Sequence, residues 1–177
     1  MQLRRNGGHM KYKHIAGVGV IALFSADNHY RYRLEILKHG IQAPWKTVCV
    51  VMQNPSYANE TEADKSVQFL ETLIFEKGLP EFERAGRLII VNQFGRVQTK
   101  DFKGANEDIG IGNDAAIEAS LRESEIIILG WGSTNLFDVR KCFVLNLLKQ
   151  MSGKQIFNTK SHPSRGCYDG FIQPYSV

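Results

Sequence analysis

Lys46-Thr47-Val48-Cys49-Val50-Val51-Met52-Gln53-Asn54-Pro55-Ser56 is the stretch from which the fold can be read. An unbroken apolar run of this length is what a strand buried on both faces needs, since neither face has to offer polar groups to water. Asn54-Pro55 then ends it, because proline lacks the ladder N–H and holds the residue before it extended. The same grammar recurs downstream. Arg87 to Val91 closes at Asn92, Glu125 to Leu129 closes on Gly130-Trp131-Gly132, and Gln155 to Thr159 is followed within three residues by His162. Helical periods lie between these runs: Thr61 to Lys77, with Val67, Leu70, Leu73 and Ile74 on one face and Gly78 as a stop; Asn113 to Glu123, with Asn113 as the expected cap; and Leu136 to Met151, with Val139, Phe143, Leu147 and Leu148. Alternation of this kind predicts an α/β fold, a three-layer α/β/α sandwich around a mainly parallel four-stranded central sheet.

Upstream, Ile15 to Phe24 and Tyr30 to Leu37 flank the turn formers Ser25-Ala26-Asp27-Asn28, which predicts an N-terminal β-hairpin at one edge of the sheet. Tyr30, Tyr32 and Leu34 alternate with Arg31, Arg33 and Glu35, so the tyrosines are expected on one face and the arginines on the other. Residues 1–10 end in Gly7-Gly8-His9-Met10 and read as a vector-derived or disordered leader, leaving 11–177 as a single α/β domain.

The chain has 177 residues, 43% hydrophobic and 23% charged, the balance of a globular protein that can build its own core. The net charge is +4 with a pI near 9.0. Removing Arg4 and Arg5 with the leader would leave about +2, too little to imply nucleic acid by charge alone. Cys49, Cys142 and Cys167 are odd in number and form no CxxC pair. Cys49 and Cys142 read as small core residues, and a reducing, cytoplasmic setting follows as the expectation. The longest apolar run, Ile15 to Phe24, is too short to span a bilayer, so no membrane partner is expected. His9, His14, His29 and His39 are scattered and expected to be exposed. No metal-ligand spacing stands out, and neither a metal nor another cofactor is expected.

In a mainly parallel sheet, ligands bind beyond the carboxyl ends of the strands. Four polar or glycine-rich tips are therefore expected to converge on one cleft: Asn54-Pro55-Ser56, Asn92-Gln93, Gly130-Trp131-Gly132-Ser133 and His162-Pro163-Ser164. Each tip alone is also what an ordinary strand-ending turn looks like. Together they offer an amide that both donates and accepts, an imidazole, and hydroxyls beside free backbone N–H groups.

Taken jointly, these tips resemble the motifs of the uracil-DNA glycosylase superfamily. Met52-Gln53-Asn54-Pro55 resembles the N-P branch of its first motif, Leu129-Gly130-Trp131-Gly132-Ser133 its L-W-G segment, and His162-Pro163-Ser164-Arg165 its H-P-S-P motif. The resemblance covers roughly Lys46 to Tyr168. It implies a uracil-DNA glycosylase-like fold and an N-glycosidase that excises a modified or damaged base from DNA. Asn54 would hold the attacking water and His162 would stabilise the leaving base. Asn92, Tyr57, Phe94 and Trp131 would bind the base, and Ser56, Ser133, Ser164 and Arg165 would contact phosphates, with Arg96, Lys100 and Lys103 adding non-specific affinity. The chain departs from the pattern at Arg165, which replaces the second proline. Asn54, unlike an aspartate, cannot act as a general base. A non-catalytic nucleotide or nucleic-acid binding module, for DNA or RNA, and a hydrolase of free nucleosides or nucleotides stay open as alternatives.

Over nearly the whole chain the sequence also resembles the bacterial and phage domain of unknown function 1643 family. The matching segments are Tyr30-Arg31-Tyr32-Arg33-Leu34, Met52 to Ala58, Val91 to Phe94 and Thr159 to Pro163. That resemblance implies no activity.

Overall fold

The computed structural model describes residues 12–43, 45–134 and 136–177. The expected leader at 1–10 lies outside these. The strands are β1 (Val18–Phe24), β2 (Arg31–Lys38), β3 (Lys46–Met52), β4 (Ala85–Asn92), β5 (Ile126–Leu129), β6 (Gln155–Thr159) and β7 (Ile172–Pro174). They hydrogen-bond into one mixed sheet of seven strands in the order β1-β2-β4-β3-β5-β6-β7. The expectation of a four-stranded sheet is therefore corrected to seven. The neighbours β4-β3-β5-β6 are parallel, while β1–β2, β2–β4 and β6–β7 are antiparallel. The hairpin β1–β2 lies at one edge of the sheet, as expected, and joins it through β4, with Leu34 opposite Ile90. β7 was not foreseen, because three residues ending in a proline carry no period to read.

Three helices cover the two faces: α1 (Lys65–Phe75) on one, α2 (Asn113–Arg122) and α3 (Asp138–Lys149) on the other. Alternate residues of β3 divide between them. Val48, Val50 and Met52 pack with Val67, Leu70, Leu73 and Ile74 of α1. Cys49 and Val51 pack with Ile117 and Leu121 of α2 and with Val144 and Leu148 of α3. Each fully buried Leu or Ile here contributes roughly 1.5–3 kcal/mol, which is why the continuous apolar runs marked the strands. No helix among the described residues is long and apolar enough to cross a membrane.

Several local expectations are overturned by packing. The α3 face that turns inward carries Arg140, Val144 and Leu148, so Val139 is 83% exposed and Cys142 is exposed too. Arg140 takes the inward place because its Nε donates to the Gln93 carbonyl at 2.8 Å while its Nη2 meets Asp114 at 2.5 Å. Asn113 does not cap α2. Gly112 holds that position, and the buried Asn113 amide donates to the Asn92 and Gln93 carbonyls at 3.0 and 3.2 Å, stitching the helix to the β4 tip. A register shift between Leu23 and Phe24, opposite Arg33 and Arg31, breaks the alternation of β2 and leaves Arg31 fully buried. His14 is not exposed either; its ring bonds Glu71 and the Asn59 carbonyl.

The cysteines allow a direct check of this packing. Burial pushes the Cys49 thiol up to about 12, whereas Cys142 and Cys167 are exposed. A thiol reagent at pH 8 should label two cysteines promptly and the third only on unfolding. Prompt labelling of Cys49, read by peptide mass, would contradict the arrangement.

Candidate functional site

The chain runs from β3 to β4 on one side and then places β5 on the other side of β3. That reversal creates a crevice at the carboxyl ends of β3 and β5, the position where open α/β sheets receive ligands. A cleft of about 430 Å³ opens there. Its wall from the β3 tip is Met52, Gln53, Asn54, Ser56 and Tyr57; the start of α1 adds Asp64, Lys65 and Ser66; the β6 tip adds His162 and Ser164; Gln98 and Thr99 close one side. A second hollow of about 370 Å³ adjoins it, lined by Trp131, Ser133, Leu136 and Arg165, and shares Gln53, His162 and Ser164 with the first. His162 thus stands between the two.

The β5 and β6 tips can approach this closely because of Gly132. Its φ is +71°, and a Cβ there would lie 2.8 Å from the His162 backbone nitrogen and 3.0 Å from the Ser161 carbonyl carbon. The His162 side chain caps the short 3₁₀ turn Pro163–Arg165: its Nδ1 accepts the Ser164 backbone N–H at 3.2 Å and lies 2.9 Å from Ser164 Oγ. An Nδ1 that accepts an N–H leaves the ring proton on Nε2. Burial and then Arg165 push the imidazole below its ordinary value, against the pull of Asp64. His162 is therefore a neutral hydrogen-bond donor at pH 7.

Asn54 faces the same cleft, but its amide nitrogen is engaged. Nδ2 donates to the Gln98 carbonyl at 2.6 Å and lies 3.4 Å from the Pro55 carbonyl. Only Oδ1 remains to accept from a water or a ligand. The same contact fastens the loop after β4, which is further held by Gln98 N–H to the Pro55 carbonyl at 3.1 Å and Val97 N–H to the His29 carbonyl at 2.9 Å. This explains how a long polar segment stays beside the site.

The other expected residues divide. Tyr57 and Ser56 line the cleft, and Trp131, Ser133, Ser164 and Arg165 line the adjoining hollow, with Ser164 in both. Phe94 is buried, edge-on to Phe102 and Phe137. Asn92 is 0% exposed and lies outside the cleft wall, on the strand position paired with Met52. Its side-chain amide, like Nε and Nη2 of Arg31, has no hydrogen-bond partner among the described residues. An unpaired buried polar group costs about 1–3 kcal/mol.

Asp64 is the site residue that sequence reasoning missed. Its Oδ1 accepts the Val67 N–H at 2.8 Å as the cap of α1, and its Oδ2 accepts the Ser56 hydroxyl at 2.8 Å. An Asp three residues before the first apolar position of the helix was the available signal. Among the described residues no group of His, Cys, Asp and Glu gathers as a metal site. A larger hollow, about 620 Å³, lies elsewhere, between the β1–β2 turn and residues 106–111, where Tyr30 and Tyr32 pack. It contains no strand-tip residue from β3, β5 or β6, so the polar convergence favours the smaller cleft.

Comparison with known proteins adds one match. No curated protein and no solved structure matches the chain. A family model described as "Protein of unknown function (DUF1643)" matches residues 31–164, which take in β2 through Ser164 and so most of the residues that line the cleft. The chain belongs to the DUF1643 family.

Proposed function

We propose that the cleft receives a nucleobase and that the protein hydrolyses an N-glycosidic bond, excising a modified or damaged base from DNA. The observation that carries this reading is the neutral His162, a donor held by Ser164 in the cleft that Asn54 also lines. Breaking a base–sugar bond places negative charge on the departing base, and a fixed donor at its oxygen stabilises that charge as it forms. Asn54 Oδ1 would hold the attacking water. Tyr57 of the cleft and Trp131 of the adjoining hollow would supply stacking on a base, worth about 1–3 kcal/mol each. Ser133, Ser164 and Arg165 would take the flanking phosphates, and Arg96, Lys100 and Lys103 on the long loop would add salt-sensitive affinity. The likeness of the strand-tip motifs to the uracil-DNA glycosylase superfamily supports the same chemistry.

A second reading, a nucleotide or nucleic-acid binding module that does not cut, is favoured by one specific contact. The Asn54 amide nitrogen is committed to Gln98, and its neutral amide oxygen can orient a water but not take up its proton. Oligonucleotides carrying uracil, hypoxanthine or hydroxymethylated cytosine distinguish the two. Abasic product from one of them, reduced about 10²–10³-fold by His162→Ala and strongly by Asn54→Ala, is the expected result. Binding with steep salt dependence but without product from any base would establish the module instead.

A further inference from the structure

We propose that Asp64, acting through Ser56, is the proton acceptor of the cleft. The inference rests on the N-glycosidase reading and supplies the ionisable acceptor that Asn54 cannot be. Asp64 is 9% exposed and lines the cleft together with Asn54, Ser56 and His162. Capping α1 occupies only Oδ1, through the Val67 N–H. Oδ2 receives the Ser56 hydroxyl at 2.8 Å, a contact the cap does not require. A serine hydroxyl has one proton. With that proton given to Asp64, Ser56 presents its lone pairs and accepts from a water in the cleft.

The hydrolytic step then balances. The water loses a proton to Ser56 Oγ as Ser56 passes its own proton to Asp64 Oδ2. The water oxygen bonds to the sugar carbon, and the carbon–nitrogen bond breaks with its electron pair leaving on the base. The His162 Nε2–H meets the charge that forms there. Asp64 later releases its proton to solvent, and the base takes one up. Ser56 cannot in the same state donate to a phosphate, and a phosphate there would meet the Asp64 carboxylate. Phosphate contacts accordingly fall to Ser133, Ser164 and Arg165. The groups that feel the Asp64 charge include Arg31 from β2, His14 before β1, Tyr57 from the β3 tip and His162 from the β6 tip.

Asp64→Asn tests this, because asparagine caps a helix as well as aspartate, although it also removes the negative charge that faces the buried Arg31. In the base-release assay Asp64→Asn should lose about 100-fold or more and lose the acidic limb of the pH–rate profile. Ser56→Ala, which leaves the cap intact, should lose at least tenfold, and it decides the matter if Asp64→Asn does not fold. Wild-type activity with Asp64→Asn or Ser56→Ala within threefold of it would overturn the relay and leave the glycosidase reading standing. An acidic limb that persists in Asp64→Asn would also overturn it. A wild-type protein that releases no base overturns both, so the two failures are distinguishable.

Discussion

Replacing Gly132 by alanine is expected to cost about 3 kcal/mol of stability and to disturb the cleft with it. Two effects add. A non-glycine residue in the left-handed region costs roughly 1–2 kcal/mol, and the φ of +71° is of that kind. The new methyl would also meet the backbone of Ser161 and His162 at 2.8–3.2 Å, where no flexible side chain can swing aside. Displacing a packed backbone costs typically 1–3 kcal/mol more. For a chain of this size the sum corresponds to a melting temperature lower by roughly 6–12 °C. The displaced segment carries His162, so binding or activity should fall further than the stability loss requires. Gly153→Ala supplies the control: its φ is +73°, yet nothing lies within 4 Å of the added carbon. It should show the first cost alone and keep the site intact. Equal losses in the two variants, by thermal denaturation, would mean that the β5–β6 tip contact is not the constraint inferred here.

The second large effect is expected at Glu71, a fully buried carboxylate in α1. Glu71 Oε1 lies 2.5 Å from His14 Nδ1, and Oε2 accepts the Ile15 backbone N–H at 3.0 Å. Glu71→Ala strands both partners and should cost about 3–5 kcal/mol, the scale for breaking a buried pair from one side. Stability should also depend on pH in a defined direction. Burial by itself would lower the His14 value, but the Glu71 and Asn59 hydrogen bonds outweigh it and the net shift is upward from 6.5. A raised folded-state value contributes stability that is complete below the unfolded value of 6.5 and is lost as pH rises through the folded one. Denaturant midpoints should therefore fall with rising pH across that window in the wild type, and Glu71→Gln should flatten the slope. An unchanged slope in Glu71→Gln would show that the pair does not carry it.

The structure redistributes the residues that the strand-tip motifs singled out. Asn54 and His162 were legible because each follows a short strand and a proline stands beside it, a signal confined to a few neighbouring residues. Asp64 was not, since its value comes from Oδ2 reaching Ser56 across the mouth of the cleft, and a helix cap looks the same in sequence whether or not it faces a site. Asn92 looked like the other tips. It still lies within β4, paired with Met52, so it is buried where Asn54, beyond the end of β3, is not. Arg31 was misplaced by a single register shift, which moves a side chain from one face of a strand to the other.

What the sequence by itself determined is the set of central strands and the helices between them, with the polar tips that end β3, β5 and β6. Apolar period and turn chemistry are local properties, written over stretches of a few residues. Only the tertiary structure decided that the sheet has seven strands, that β3 and β5 part at a crevice, and that Gly132 lets one tip rest on another. The same holds for the proton of His162, placed on Nε2 by the Ser164 backbone, and for the hydroxyl of Ser56, turned toward Asp64. Those outcomes depend on which atoms meet across the fold, and hydrogen-bond direction and desolvation exist only once the partners are in place.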